Sequence, residues 1–181
     1  LAAVPPHKAR YGEACDYLER EIRKLGVDIH LNAAVTEVEL DSRKPDAVIL
    51  ATGSVPFVPP IQGLSGGGAV LVDDVLEGRA PVGRRVAIIG GGAIGAETAH
   101  LLVEEEDREV YLIEMRDGIA VDLPQDARIC LLHAFEQTPS LHQITNAKVT
   151  AVTPESITLE RQGQTGWTPS SSPWARAPIR G

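Results

Sequence analysis

Cysteine is almost missing from this chain: Cys15 and Cys130 are the only two in 181 residues. Two thiols so far apart in sequence argue against a disulfide framework or a cysteine-ligated metal site, and they fit a reducing, cytoplasmic setting. Basic clusters are missing as well. Seventeen Lys and Arg stand against 25 Asp and Glu, for a formal net charge of −8, and no stretch gathers the positive charge. Nucleic acid and anionic membrane are therefore poor partners. No apolar run reaches the ~18 residues of a membrane helix, and no signal peptide opens the chain. The five histidines, at positions 7, 30, 100, 133 and 142, show no metal-ligand spacing and are expected at the surface or its boundary. Asp73-Asp74 and Asp122 resemble paired carboxylates, but nothing in the sequence brings them together. A first residue other than Met, in Leu1-Ala-Ala-Val-Pro-Pro, reads as mid-loop, so an upstream part is expected.

What is present is a chain able to bury a core, with 43% hydrophobic residues. Residues 12–25 read as a helix, with Cys15, Leu18, Ile22 and Leu25 on one apolar face and Gly26 at its C-terminal stop. The position of Cys15 on that face predicts core packing. Val27 to Leu31 and Val35 to Leu40 read as short strands. Asp46 to Ala51 is a compact apolar run between Pro45 and Gly53, expected to be a buried parallel strand. A Pro- and Gly-rich linker follows, through Gly68, and Val70 to Leu76 reads as a short strand and turn. Arg85 to Ile89 is the second buried strand. A helix from about Ala93 to Glu105, a strand from Glu109 to Glu114 and a helix over 126–136 come next. Lys148 to Thr153 and Ser156 to Glu160 read as a hairpin. Strand, helix, strand twice over predicts an α/β architecture with parallel sheet. An echo between Ala33-Ala-Val-Thr-Glu-Val38 and Ala147-Lys-Val-Thr-Ala-Val152 is consistent with two related units.

The sharpest motif is Val86-Ala-Ile-Ile-Gly90-Gly91-Gly92-Ala93-Ile94-Gly95-Ala-Glu97. A lone G-x-G-x-x-G is weak, but this one has a strand before it, a helix after it and an acid closing the next strand. Gly90 makes the tight turn, Gly92 lets backbone approach a pyrophosphate, and Gly95 lets helix and strand pack closely. The helix N-terminus then faces the phosphate charge. Glu114 can accept hydrogen bonds from ribose hydroxyls and repels a 2′-phosphate, which favours NAD over NADP. Arg116, two residues on, softens that preference. Glu97 is read either as a site residue or as a solvated helix residue. The second motif, Asp46-Ala-Val-Ile-Leu-Ala51-Thr52-Gly53-Ser54, is a strand ending in a turn.

Together these residues resemble the two-dinucleotide flavoprotein reductases. Leu1-Ala-Ala-Val-Pro-Pro-His-Lys8, Tyr17-Leu-Glu-Arg-Glu21, Leu25-Gly-Val27, Pro45-Asp-Ala-Val48 and Val82-Gly-Arg-Arg-Val86 resemble the C-terminal half of the NADH:flavin oxidoreductases related to old yellow enzyme, the family of 2,4-dienoyl-CoA reductase and trimethylamine dehydrogenase. The likeness covers roughly residues 1–160. It implies a Rossmann-like dinucleotide-binding domain of the pyridine nucleotide-disulfide oxidoreductase type over residues 59–165, after a partial FAD-binding segment over residues 1–58. It implies that NAD(H) binds this chain, with NADP(H) less favoured, and that hydride passes to FAD in the intact parent. Val35, Ala51, Thr52 and Gly53 would flank the FAD. The first FAD glycine loop and a flavin-barrel domain are expected upstream, and the barrel would hold the substrate chemistry, so no catalytic residue is assigned here. Glu104-Glu-Glu-Asp107 departs from the family, which has a small turn residue there. A non-catalytic dinucleotide-binding module and a non-functional gene remnant are the alternatives.

Residues 166–181 form an irregular tail, where the resemblance calls for a strand like 46–53. Reading Trp167-Thr168 one base back forces Asp, and Trp174-Ala175 forces Gly. Their separation equals that of Asp46 and Gly53. A frameshift is therefore expected there, leaving the tail without a place in the fold and the sheet with an open edge, a liability for aggregation.

Overall fold

The computed structural model describes residues 1–64, 69–104, 108–153, 155–161, 164–165 and 177–179. In chain order its elements begin with α1 (Arg10–Lys24), α2 (Glu37–Arg43), β1 (Ala69–Leu71) and α3 (Val72–Leu76). They continue with β2 (Arg85–Ile89), α4 (Ala93–Glu104), β3 (Glu109–Ile113), α5 (Gln125–Glu136) and β4 (Leu141–Ile144). They end with β5 (Ala147–Val152), β6 (Ile157–Arg161), β7 (Gln164–Thr165) and β8 (Ala177–Ile179).

A parallel five-stranded sheet in the order β1-β8-β2-β3-β4 forms the centre. Side chains alternate across it, as strand geometry requires. Val86 and Ile88 of β2, with Val110 and Leu112 of β3, pack on Ala96, Ala99 and Leu102 of α4 and on Leu131 and Phe135 of α5. Ala87, Ile89 and Ile113 point the other way, into a second core with Val149, Val152, Ile157 and Leu159. These four come from β5 and β6 of the antiparallel sheet β5-β6-β7. The central strands are thus buried on both faces, which is why their sequences read as unbroken apolar runs. The Rossmann-like α/β class expected from the sequence is the class observed.

The N-terminal region departs from expectation. The helix at 10–24 forms, and its end is a Schellman turn: Gly26 has φ 71°, its N–H reaches Arg23 O, and the Val27 N–H reaches Ile22 O. Yet no residue of α1 is buried, and Cys15 is exposed, not packed in a core. Residues 27–31 form no strand, and the run from Val35 becomes a cap and a helix. Its sequence carries a capping box. Thr36 Oγ1 accepts the Glu39 N–H, and the Glu39 carboxylate accepts the Thr36 N–H. The echo between 33–38 and 147–152 therefore has no structural counterpart, since the first is irregular up to the Thr36 cap and enters α2 at Glu37, while the second is β5.

Residues 46–51 form no strand, and Ile49 and Leu50 are 90% and 84% exposed. The expectation of a buried strand fails because no neighbour among the described residues offers a ladder, and strand stability resides in pairing more than in composition. β4 was not legible in the sequence, because Leu141-His-Gln-Ile144 offers only two apolar residues.

The tail departs in the opposite sense. Residues 166–176 and 180–181 lie outside the described residues, but 177–179 take a place between β1 and β2, with Ala69, Val70 and Leu71 opposite Ala177, Pro178 and Ile179. The slot expected to stay open is filled. Ladder bonds are made by backbone, so a poorly matched sequence can occupy it. The mismatch still shows at Pro178, which brings no N–H to an inner strand. The stretches 65–68 and 105–107 also lie outside the described residues.

Candidate functional site

The site is built at the C-terminal ends of β2 and β3. The chain leaves β2 at Gly90 with φ 104°, a conformation that side chains resist, while the Gly90 N–H stays tied to Ile113 O at 2.8 Å. At Gly95 the constraint is proximity. A methyl group there would lie 2.0 Å from the Gly90 carbonyl oxygen, so α4 can sit on β2 only with glycine at this position. A methyl group at Gly91 would meet Ile119 Cδ1 at 2.6 Å and Glu114 Cβ at 2.9 Å. The glycine turn is enclosed by the segment that follows β3.

Glu114 joins the two halves. It is 3% exposed. Its Oε2 accepts the Gly91 N–H at 2.7 Å, and its Oε1 accepts the Arg116 N–H at 2.8 Å and Arg116 Nε at 3.3 Å. Burial opposes ionisation, but the Arg116 and Gly91 N–H groups and the Arg116 guanidinium outweigh it and hold the carboxyl below its usual range. A carboxylate offers about four acceptor positions, so the three bonds leave capacity for a ligand hydroxyl.

The loop 115–124 closes over the turn. The Ala120 N–H reaches Gly91 O at 2.6 Å, Arg128 Nε holds Ile119 O at 2.8 Å, and Ile119 and Ala120 are buried. Asp122 Oδ1 accepts the N–H of Ala93, the first residue of α4, at 2.8 Å. The Ala96 N–H is bonded within the helix, to Gly92 O at 2.9 Å, so the donors before it face the turn.

A cavity of about 920 Å³ opens here, between Gly90, Glu114 and Arg116 on one side and Phe57, Pro60 and Lys148 on the other. Its size lies in the range of sites for extended small molecules. Space, a glycine turn closely packed on its strand, a helix N-terminus and a buried acceptor together fit a dinucleotide.

Ala93 and Ile94 begin α4, with Ile94 41% exposed. Glu97 is not simply solvated: it pairs with Lys8 and ties the N-terminal segment to α4. Val35, Ala51, Thr52 and Gly53 are exposed, and none of them lines the cavity. Sequence reasoning missed Asp122 as a site residue, along with Phe57, Pro60 and Lys148. No spacing rule signals them, because a loop and two distant segments deliver them. The histidines lie where expected: 7, 30 and 133 are exposed, 100 and 142 half-buried. Among the described residues no group of three or more His, Cys, Asp or Glu could hold a metal, and no helix is long and apolar enough to cross a membrane. His142 stacks on Tyr111 at 4.5 Å, and both bond to Glu109, an arrangement that joins β3 to β4.

Known proteins agree with this geometry. Residues 40–168 match the family described as pyridine nucleotide-disulphide oxidoreductase. Bilirubin reductase of Mediterraneibacter gnavus is 35% identical over 88% of this chain and 25% of its own length. NADH oxidase of Thermoanaerobacter brockii is 32% identical over 87% of this chain and 24% of its own length. The chain thus spans about a quarter of the length of these curated relatives. A solved 2-naphthoyl-CoA reductase superposes with a TM-score of 0.81 over 98% of this chain and 26% of its own, at 24% identity, a likeness of fold. With more than half of its residues matched, the chain belongs to the pyridine nucleotide-disulphide oxidoreductase family, whose cofactors are a nicotinamide dinucleotide and FAD.

Proposed function

We propose that this chain supplies the NAD(H)-binding part of a flavin-dependent NAD(P)H oxidoreductase. The observation that carries the reading is the joint between Gly91 and Glu114 beside the cavity. It sets a buried ribose acceptor next to a turn that backbone alone can line. The nicotinamide, when bound, supplies a hydride for which FAD is the acceptor. The residues of this chain bind and orient. Glu114 accepts from the ribose hydroxyls, the start of α4 faces the pyrophosphate, and Arg116 lies where a 2′-phosphate would be sensed.

The finer placement, among the NADH:flavin oxidoreductases related to old yellow enzyme, rests on the motifs in residues 1–48 and 82–86. The extent of the fold match to 2-naphthoyl-CoA reductase, which takes in the N-terminal segment, supports it. In that reading residues 1–58 are FAD-domain segment, Val35 and Ala51 to Gly53 flank the flavin, and a flavin-barrel domain is the partner. A cytoplasmic setting follows from the sparse cysteines.

Titration of the purified chain with NADH tests the reading by ligand fluorescence and thermal shift. Saturable binding, abolished by Gly92→Val, is the expected result. A chain with a folded glycine turn that ignores NADH would overturn it.

A further inference from the structure

The N-terminus of α4 already holds a carboxylate. Ala93 is the first residue of that helix, and its N–H, which has no partner inside the helix, is bonded to Asp122 Oδ1 at 2.8 Å. Asp122 also borders the cavity shared by Gly90, Glu114 and Arg116. The contact is built rather than casual. The loop that brings Asp122 across 29 residues is fastened on the glycine turn by the Ala120 N–H to Gly91 O, and on α5 by Arg128 Nε to Ile119 O. Asp122 itself is exposed. The two anchors of the loop, at Ala120 and Ile119, do not use the Asp122 side chain.

We propose that Asp122 is an internal occupant of the pyrophosphate seat. Its carboxylate caps α4 while the dinucleotide is away, and it must yield that position when the dinucleotide binds. The inference rests on the dinucleotide reading above and deepens it. A fixed negative charge at a helix N-terminus and an incoming pyrophosphate compete for the same donors and repel each other. Asp122 therefore sets the affinity of the site. It acts on the part that NADH and NADPH share, so it lowers both alike. Glu114 differs, because it acts at the ribose and separates the two.

The experiment titrates NADH, NADPH and inorganic pyrophosphate against the chain and against Asp122→Asn and Asp122→Ala, with the Ala93 amide followed by nitrogen-15 NMR. Asparagine keeps an oxygen to cap the helix and removes the charge. Both substitutions are expected to tighten NADH and NADPH by the same factor, roughly two- to fivefold, and to tighten pyrophosphate as well. In the unaltered chain the Ala93 amide should shift as NADH saturates the site. Unchanged or weaker binding by D122N and D122A, with the parent chain still binding NADH, would overturn the inference and leave the dinucleotide reading intact. An Ala93 amide that stays still at NADH saturation would do the same, even where a variant fails to fold. Loss of NADH binding from the parent chain itself would remove both.

Discussion

Glu114 Oε2 accepts the N–H of Gly91 at 2.7 Å, across 23 residues of sequence. One buried hydrogen bond thereby couples the turn after β2 to the end of β3.

That bond predicts an acid sensitivity. The Glu114 carboxyl is held below its usual range, since the Arg116 and Gly91 N–H groups and the Arg116 guanidinium outweigh its burial. The folded state therefore holds the proton less tightly than the unfolded chain. Its contribution to stability is complete above the ordinary carboxylate range and is lost as pH falls through the depressed folded value. Glu114→Ala should cost about 1–3 kcal/mol at neutral pH, because buried N–H groups lose their acceptor. It should also flatten the acid limb of a urea-stability profile. An unchanged acid limb would show that other carboxylates govern it.

Glu114 and Arg116 also predict cofactor choice. A buried carboxylate at the ribose repels a 2′-phosphate, while Arg116, with its side chain 48% exposed, attracts it. The Glu114 bond to Arg116 Nε at 3.3 Å draws the guanidinium toward the acid, so NADH should bind more tightly than NADPH. Arg116→Ala should widen the gap and Glu114→Gln narrow it. Paired titrations decide this, and tighter NADPH binding by the parent chain would reverse the order of the two influences.

Gly95→Ala should fail by collision. Its methyl group would lie 2.0 Å from the Gly90 carbonyl oxygen, and backbone cannot swing aside as a long side chain can. A loss of about 3 kcal/mol is expected from overpacking, and NADH and NADPH should weaken equally because the turn itself moves. Thermal melts and the same titrations read both effects.

Flavin should bind the purified chain weakly. Ala51, Thr52 and Gly53 are exposed on a segment without regular structure, so they offer no enclosed surface. Absorbance near the flavin bands after purification should show much less than one equivalent. Near-stoichiometric tight flavin would show that residues 1–58 build a site unaided.

The inner strand β8 carries its own test. Pro178 stands opposite Val70 and brings no N–H. Pro178→Val restores a ladder donor and should stabilise the chain by about 1 kcal/mol, measured by chemical denaturation. The nucleotide sequence around Trp167 tests the frameshift separately, because an in-register apolar strand must appear in the neighbouring frame.

Much of the fold was legible where chemistry is local. Arg85 to Ile89, the glycine turn, α4 and β3 form one contiguous stretch. Its apolar runs, Gly spacing and closing acid each specify a neighbour within a few residues. α5 and the β5–β6 hairpin follow from their own periodicity in the same way. Asp46 to Ala51 and Leu141 to Ile144 show where that reasoning stops. Among the described residues the more apolar run stays unpaired, and the poorer one becomes β4, because Val110 to Ile113 of β3 lies beside it.

The sequence by itself determined that a strand, a glycine turn, a helix and a second strand ending in an acid would form, since steric freedom at Gly90 and Gly95 and apolar burial are encoded within the segment. Tertiary structure alone decided which side chains meet there. It set Asp122 on Ala93, Lys8 on Glu97 and residues 177–179 between β1 and β2, because hydrogen bonds and ion pairs between distant segments depend on which donors remain open once the core has closed.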